Sequence, residues 1–369
     1  MTRWTAADRR FMQAALDLAK RGQGYVEPNP MVGCVIVKSG RVVGEGFHRR
    51  FGRAHAEINS LRRAGSAARG ATVYVNLEPC SHEGKTPPCA DALIAAGVRR
   101  VVAAMKDPNP SVAGRGFRRL RAAGIRVDAG LLRVEARRLN APFVVFHREK
   151  RPYVILKWAQ SIDGKIATRT GHSKWITSRQ SRAAAHALRA RVDGIVVGIG
   201  TVLADDPDLT ARMAKPRRMA WRVVLDSRLR IPINAKVVRS ARNTPTLIVM
   251  AKGCDNPRKR RGLEAAGCQV LPVRGTRQGI HLPSLLHRLH EMDMTNVLVE
   301  GGGRVLASFF EQGLSDEARV YVAPRLVGGE GAPGPLRGWG PSEIDRSSRV
   351  RVMHEARIGP DRCYSLRLR

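Results

Sequence analysis

The sequence predicts an α/β chain of two domains. Three observations lead there. The chain has 369 residues, more than one ordinary domain requires. Short apolar runs at 32–37, 194–198 and 296–300 alternate with stretches that carry a helical apolar stripe. Midway, the charged string His147-Arg-Glu-Lys-Arg151 separates two such series. The domains are therefore expected over residues 1–147 and 151–369.

In the first series, Thr5-Ala-Ala-Asp8 reads as a capping box, and Phe11, Ala14, Ala15 and Leu18 form the stripe of the helix behind it. Gly22 and Gly24 end that helix. Residues 32–37, bounded by Pro30 and Ser39-Gly40, predict a buried strand, with 41–46 as its hairpin partner. A helix is expected over 55–64, stopped by Gly65, and a strand over 71–77. Helix 89–96, stopped by Gly97, strand 100–105, helix 116–123 and strand 125–129 follow. In the second series, 153–158 predicts a strand, 161–164 a turn, 178–190 a helix and 194–198 a buried strand. Further strands are expected at 221–226, 246–251, 296–300, 319–322 and 364–368. The Gly301-Gly302-Gly303 turn opens a helix through Phe310. The Gly/Pro-rich segment 328–340 reads as a mobile loop.

Formal net charge is +34, which attracts polyanions without selectivity. The cations are scattered through both halves, and aromatic residues make up only 5%. No Arg–aromatic platform for single strands is visible. The expectation is an Arg-rich solvated surface and phosphorylated small-molecule substrates, with no specific nucleic acid. No apolar run approaches the ~18 residues of a membrane span. The first residues lack the apolar core of a signal peptide. Six widely spread cysteines suit a reducing cytoplasm better than a disulfide framework. Cys34, Cys254, Cys268 and Cys363 read as packing residues or free thiols.

The chemistry concentrates first at His55, Cys80 and Cys89. One imidazole and two thiolates make a catalytic zinc set, because three protein ligands leave one tetrahedral position open. Glu57, two residues after His55, is placed to act on water there. Both parts of the set fall where strands give way to helices, whose N-termini favour thiolate over thiol. The pattern His-x-Glu, Pro-Cys, Cys resembles that of the zinc nucleobase deaminases. Here eight residues, not two, separate the cysteines. The string Glu78-Pro-Cys-Ser-His-Glu-Gly-Lys-Thr-Pro-Pro-Cys89 is similar to the deaminase of riboflavin biosynthesis. Asn29-Pro-Met-Val-Gly33, Asp107-Pro-Asn-Pro110 and Ala113-Gly-Arg-Gly116 fit the same family. That resemblance implies a cytidine-deaminase-like three-layer domain, with Asn29, His48 and Lys85 on the substrate. The alternative for His48 is a surface histidine after a hairpin. His82 would crowd Cys80 and is kept out of the ligand set.

In the second half, Glu300-Gly-Gly-Gly303 lies between a predicted strand and helix. Glycines there let backbone N–H groups approach a phosphate; the alternative is a plain loop. It is no Rossmann fingerprint, and 198–202 lacks the third glycine of one. Nearly all of 151–369 resembles the reductase of the riboflavin pathway, which has a dihydrofolate-reductase-like fold. The resemblance is carried by Leu156-Lys157, Ser161-Ile-Asp-Gly-Lys165, Ser173-Lys-Trp-Ile-Thr177, Gly200-Thr-Val-Leu-Ala-Asp-Asp-Pro207, Leu209-Thr210 and Val299-Glu-Gly-Gly-Gly303. It implies that Ser173, Arg189, Leu209, Arg212 and Glu300 line the substrate. It also implies that Ala159, Trp175, Thr201, Asp205, Ser227, Gly302, Gly303 and Arg304 lie along NADPH. Arg189 and Arg212 suit a phosphate, which a guanidinium fork grips bidentately. Lys157 and Asp205 are candidates for polar work at the reacting centre. The alternatives are an edge residue for Lys157, core for Trp175, and turn formation for an Asp before Pro207, more for Asp206 than for Asp205.

The reading is a bifunctional enzyme with Zn2+ and NADPH. It deaminates 2,5-diamino-6-ribosylamino-4(3H)-pyrimidinone 5′-phosphate and reduces the resulting ribosyl group to ribityl, as a homo-oligomer. One rival is a cytidine or tRNA-adenosine deaminase with an unrelated tail. Another is a nucleic-acid-binding protein with a structural zinc.

Overall fold

A computed structural model describes residues 4–81, 87–110 and 112–369. The chain divides into two units, Met1–Lys150 and Arg151–Arg369.

The first unit opens with α1 (Ala6–Lys20). Its capping box is complete: Asp8 N donates to Thr5 Oγ1, and Thr5 N donates to the Asp8 carboxylate. The antiparallel hairpin β1 (Gly33–Lys38) and β2 (Arg41–Phe47) follows. Then come α2 (Ala56–Ala64), β3 (Thr72–Val75), α3 (Cys89–Ala95), β4 (Arg100–Ala103), α4 (Arg115–Ala122) and β5 (Arg126–Ala129). The sheet order is β2-β1-β3-β4-β5, antiparallel as far as β3 and parallel from β3 to β5. α1 packs on β1 and β3, and α2 on β1 and β2.

Two further helices, α5 (Arg133–Leu139) and α6 (Ala141–Glu149), finish the unit. The sequence reading omits both. α5 buries only Ala136, so it carries no stripe, and the charged string 147–151 includes the end of α6, whose Phe143, Val144 and Phe146 are buried.

The second unit is a nine-stranded sheet. In chain order its elements are β6 (Tyr153–Ser161), α7 (Arg179–Arg189), β7 (Gly194–Gly198), α8 (Ile199–Asp205), β8 (Trp221–Leu225), α9 (Lys236–Arg239), β9 (Thr246–Ala251) and α10 (Pro257–Ala265). These are followed by β10 (Gln269–Val273), the small hairpin β11 (Gly275–Thr276) and β12 (Gly279–Ile280), α11 (Leu282–Glu291), β13 (Asn296–Gly301), α12 (Gly303–Glu311), β14 (Glu317–Ala323), β15 (Arg351–Ile358) and β16 (Asp361–Arg367). The order is β10-β9-β8-β7-β13-β6-β14-β16-β15, parallel through β14 and antiparallel after it. Alternate residues of the parallel strands enter different cores. Ile195 and Val197 pack with Ile248 and Met250, whereas Val196 packs with Leu247 and Val249. Covering on both faces is why these strands read as continuous apolar runs.

One expectation changes here, and one strand is new. β7 ends at Gly198, the end expected for that strand, and residues 199–201 begin α8. The 328–340 loop is tied down: Asp163 accepts from Val327 N and Gly328 N, Pro333 O accepts from Ile166 N, and Glu311 accepts from Trp339 N. Strand β15 lies at the sheet edge with Val352 and Met353 exposed, so no apolar alternation announced it.

Candidate active sites

In the first unit, the two helix starts bring the ligand set together. His55 is the N-cap of α2 and Cys89 is the first residue of α3. Cys80 follows β3. The nitrogen and sulfur atoms of His55, Cys80 and Cys89 all lie within 4.8 Å of one another. His55 Nδ1 is 3.3 Å from Cys89 Sγ and 3.6 Å from Cys80 Sγ. This is the one such cluster among the described residues. One imidazole and two soft sulfurs fit zinc. Lys85 and His82 lie outside the described residues.

The electrostatics of the set are uneven. A hydrogen bond with Cys89, then His55, holds the Cys80 thiol down to about 4. Cys89 moves the other way, because its thiol donates to Cys80 and is buried near Glu57. Glu57 is 3% exposed. Burial, with anionic Cys80 nearby, pushes its carboxyl up to about 7.

Around this centre, His48 is buried, not a surface residue after the hairpin. Its Nδ1 lies 3.2 Å from Ala54 O, and its Nε2 lies 3.3 Å from Asn29 Nδ2. That network assigns the proton to Nδ1, with Nε2 accepting from Asn29. Burial pushes His48 down to about 4, so it is neutral.

Glu78 stands in the motif string but had no role in the sequence reading. It is buried, and its carboxylate accepts from Asp107 N at 3.1 Å, Gly114 N at 2.9 Å and Phe117 N at 3.2 Å. It therefore ties Asp107, Gly114 and the start of α4 to the segment that follows β3. Gly116 sits so close that a Cβ there would lie 2.0 Å from Pro79 O. No local pattern reveals this contact, since its donors lie about thirty to forty residues downstream.

In the second unit, a cleft of about 1390 Å³ lies along the C-terminal ends of β6, β13, β7 and β8. This is the end where open α/β sheets bind ligands. It exceeds the ~300–1,000 Å³ of a single small-ligand pocket. Lys157, Ala159, Ser173, Trp175, Arg189, Thr201, Asp205, Arg212, Ser227, Glu300, Gly302, Gly303 and Arg304 all line it. Leu209 does not. Its side chain is buried in the core and its backbone is left-handed, so only main-chain atoms remain for any ligand.

At the centre, Arg189 grips Glu300 bidentately, with Nε to Oε1 and Nη2 to Oε2 both 2.6 Å. Lys157 Nζ lies 3.9 Å from Glu300 Oε2. Burial would raise Glu300, but Arg189 and Lys157 hold it down at about 2. Burial lowers Lys157. It is no edge residue, because β6 lies between β13 and β14. Asp205 Oδ1 is 3.6 Å from Lys174 Nζ, while the neighbouring Asp206 takes the turn role and accepts from Lys236 N. Trp175 is 58% exposed beneath the Arg182 guanidinium and is not core. Gly302 caps α12 with φ +71°, and a Cβ on Gly301 would lie 2.9 Å from Thr201 Oγ1. The turn is thus glycine for conformational and steric reasons. His186, one turn before Arg189 on α7, also lines the cleft. Its helical spacing from Arg189 was the available signal.

The family model for the RibD C-terminal domain matches residues 152–364. That for the cytidine and deoxycytidylate deaminase zinc-binding region matches residues 5–105. The riboflavin biosynthesis protein RibD of Aquifex aeolicus is 44% identical over 96% of this chain and 96% of the relative. That of Escherichia coli is 41% identical over 97% and 99%. Among solved structures, form 1 of Acinetobacter baumannii RibD matches with TM-score 0.87 at 38% identity, over 98% of both chains. A diaminohydroxyphosphoribosylaminopyrimidine deaminase/5-amino-6-(5-phosphoribosylamino)uracil reductase of Thermotoga maritima matches with TM-score 0.84 at 34% identity, over 98% of this chain and 99% of that one.

Proposed function

The chain belongs to the bifunctional riboflavin biosynthesis deaminase–reductase family, and we propose how its residues divide the two reactions. The first unit deaminates 2,5-diamino-6-ribosylamino-4(3H)-pyrimidinone 5′-phosphate. The second reduces 5-amino-6-(5-phosphoribosylamino)uracil to its ribityl product with NADPH. The observation that carries the first assignment is the three-ligand set with buried Glu57 beside it.

His55, Cys80 and Cys89 hold the zinc. When bound, zinc supplies Lewis acidity that makes water a nucleophile near neutral pH. Glu57 takes the proton from that water and returns it to the leaving amine. Its raised carboxyl suits a group that must accept and release a proton near neutrality. Neutral His48 fixes the Asn29 amide, and Asn29, His48 and Lys85 hold the pyrimidine phosphate. A structural zinc would need a fourth protein ligand, and the described residues offer three.

In the second unit, a reduced nicotinamide supplies the hydride. Opening the ribosylamine breaks the bond from C1 to the ring oxygen and leaves a C1 imine; the freed oxygen takes a proton, and C1 is the atom that would accept the hydride. Lys157, made more acidic by burial, delivers the proton. Asp205 faces the sugar, and the Arg189–Glu300 pair fixes the floor under it. Arg212 and Ser173 reach the phosphate. Thr201, Ala159, Trp175, Ser227 and the turn Gly302-Gly303-Arg304 hold the cofactor.

The test is product analysis with purified protein. The pyrimidine phosphate alone should give the deaminated ribosyl compound, and added NADPH should give the ribityl compound. Absence of deamination in zinc-loaded protein would end the first assignment. Accumulation of the ribosyl product despite NADPH would end the second.

A further inference from the structure

The three metal-site residues are not held alike. His55 and Cys89 stand at the starts of α2 and α3, so a helix sets the position of each. Cys80 lies in neither helix nor strand: β3 ends at Val75, and the chain runs on irregularly through residues 76–80. On its far side Cys80 is fastened to α3. Its carbonyl accepts from Ala90 N at 3.1 Å, and its Sγ accepts from Cys89 N at 3.3 Å. At the start of the segment, Asn76 Oδ1 accepts from Gly33 N at 2.8 Å and ties it to β1. Between that anchor and Cys80 stands Glu78.

The Glu78 carboxylate divides its two oxygens over one joint. Oε2 accepts from Asp107 N and Gly114 N, and Oε1 accepts from Phe117 N. Gly114 is the N-cap of α4 and has no side chain to offer. Phe117 N, at the third position of that helix, is a group an N-cap side chain would ordinarily satisfy. Glu78 supplies the missing cap from another part of the chain, with the negative charge that a helix N-terminus favours. The backbone fits as closely. A Cβ on Gly116 would lie 2.0 Å from Pro79 O and 3.3 Å from Glu78 Cγ. Pro79 O belongs to the peptide that leads into Cys80, so the start of α4 is a backstop for that peptide. The strings 107–110 and 113–116, which have no part in the two reactions as assigned above, form the receiving half of this joint.

Resting on the reading that His55, Cys80 and Cys89 hold zinc, the geometry points to Glu78 as the positioning residue of that centre. Glu78 is not a ligand. By clamping the chain two residues before Cys80 onto α4, it fixes where the Cys80 sulfur stands relative to His55 and Cys89. A sulfur placed in advance need not be ordered when the metal arrives, and the metal is held more tightly for it.

Zinc affinity of the full-length protein, measured by competition with a chromophoric chelator well below the unfolding temperature, tests this. Glu78→Ala should bind zinc about 10–100-fold more weakly than wild type. Glu78→Gln keeps one acceptor oxygen and should lose less. Gly116→Ala changes no charge and no ligand, but its added methyl forces α4 away from Pro79 O. It should weaken zinc in the same direction, and it carries the test if Glu78→Ala does not fold. Asp128→Asn is the control for lost stability alone. It breaks the pairs with Arg100 and Arg126 on edge strand β5, two strands from β3, and should leave zinc affinity at the wild-type value. Unchanged zinc affinity in Glu78→Ala and Gly116→Ala would overturn the positioning role, as would an equal loss in Asp128→Asn. Wild type that binds no zinc would overturn instead the zinc reading on which the role rests.

Discussion

Glu57 and Glu300 are both buried carboxyls beside a proposed reaction centre, one in each unit, and their surroundings drive them apart. At Glu57, burial and the Cys80 thiolate act together, and the carboxyl rises to about 7. At Glu300, Arg189 and Lys157 more than offset burial, and the carboxyl falls to about 2. Burial alone therefore assigns no role to a carboxylate; the sign of its neighbours does. The first glutamate is arranged to exchange a proton, the second to remain a fixed anion that organises cations. The two should then respond differently to the same Glu-to-Gln change.

The largest effect is expected from Glu57→Gln. Glutamine keeps the shape but cannot act as a base. Deamination should fall by at least ~10²–10⁴-fold, with zinc retained because Glu57 is not a ligand. Supplied with the deaminated ribosyl compound, this variant should still oxidise NADPH at close to the wild-type rate. Loss of both activities in a folded variant would break the division of labour between units. Asp205→Asn is the complementary variant and should accumulate the unreduced product.

Glu300→Gln should act on stability as well as on the reductase. A depressed carboxyl stabilises the fold above its ordinary value of about 4.5 and loses that contribution as pH falls through about 2. A shift of this size corresponds to about 3 kcal/mol at neutral pH. The variant also leaves Arg189 and Lys157 buried without their anion. Urea unfolding of the second unit should show a gap at pH 7 that narrows below about pH 4.5. A gap that widens in acid would contradict the ion-pair account.

The legible parts of this chain are those whose signal is local. The capping box at Thr5, the Gly65 stop after α2, and the placing of His55 and Cys89 at helix starts are all readable from a few residues. Glu78 shows the opposite case. Its identity is plain in the motif, but its partners at Asp107, Gly114 and Phe117 meet it only after a helix and a strand have folded between them. Leu209 is placed on the substrate by resemblance; its apolar side chain fills the core, so only its main chain is left for that contact. α10 begins Pro-Arg-Lys-Arg-Arg and buries only Leu263, so it has no stripe to read. In contrast, α11 repeats Leu282, Leu285, Leu286 and Leu289 at helical spacing, a signal present in the sequence that the reading above omits.

A smaller effect separates the two arginines proposed for the reductase substrate. Arg189 is buried on Glu300, whereas Arg212 is half-exposed on half-exposed Asp208. An exposed pair contributes little to folding, so Arg212→Ala should change stability by no more than ~0.5 kcal/mol. Its loss should appear as a rise of about tenfold in the reductase KM, the scale of one charge-assisted contact. A large fall in melting temperature would make Arg212 a structural residue like Arg189.

The smallest expected effect concerns nucleic acid, toward which the two units should not differ. Net charge is +34, so some attraction to DNA and RNA follows from the charge itself. Specific recognition requires more, namely an element that reads base edges or a row of aromatics on which bases stack. Aromatic residues are sparse, and the exposed Trp175 already lies under Arg182 within the reductase cleft. Any complex should therefore rest on phosphate contacts, weaken steeply between 50 and 200 mM salt in the manner of counterion release, and show equal affinity for unrelated sequences of the same length. Filter binding with two such oligonucleotides over a salt series measures both properties at once. A complex that survives high salt and prefers one sequence would show that one unit carries a recognition surface the other lacks, and the charge would then have a role beyond solvation and the phosphates of the substrates.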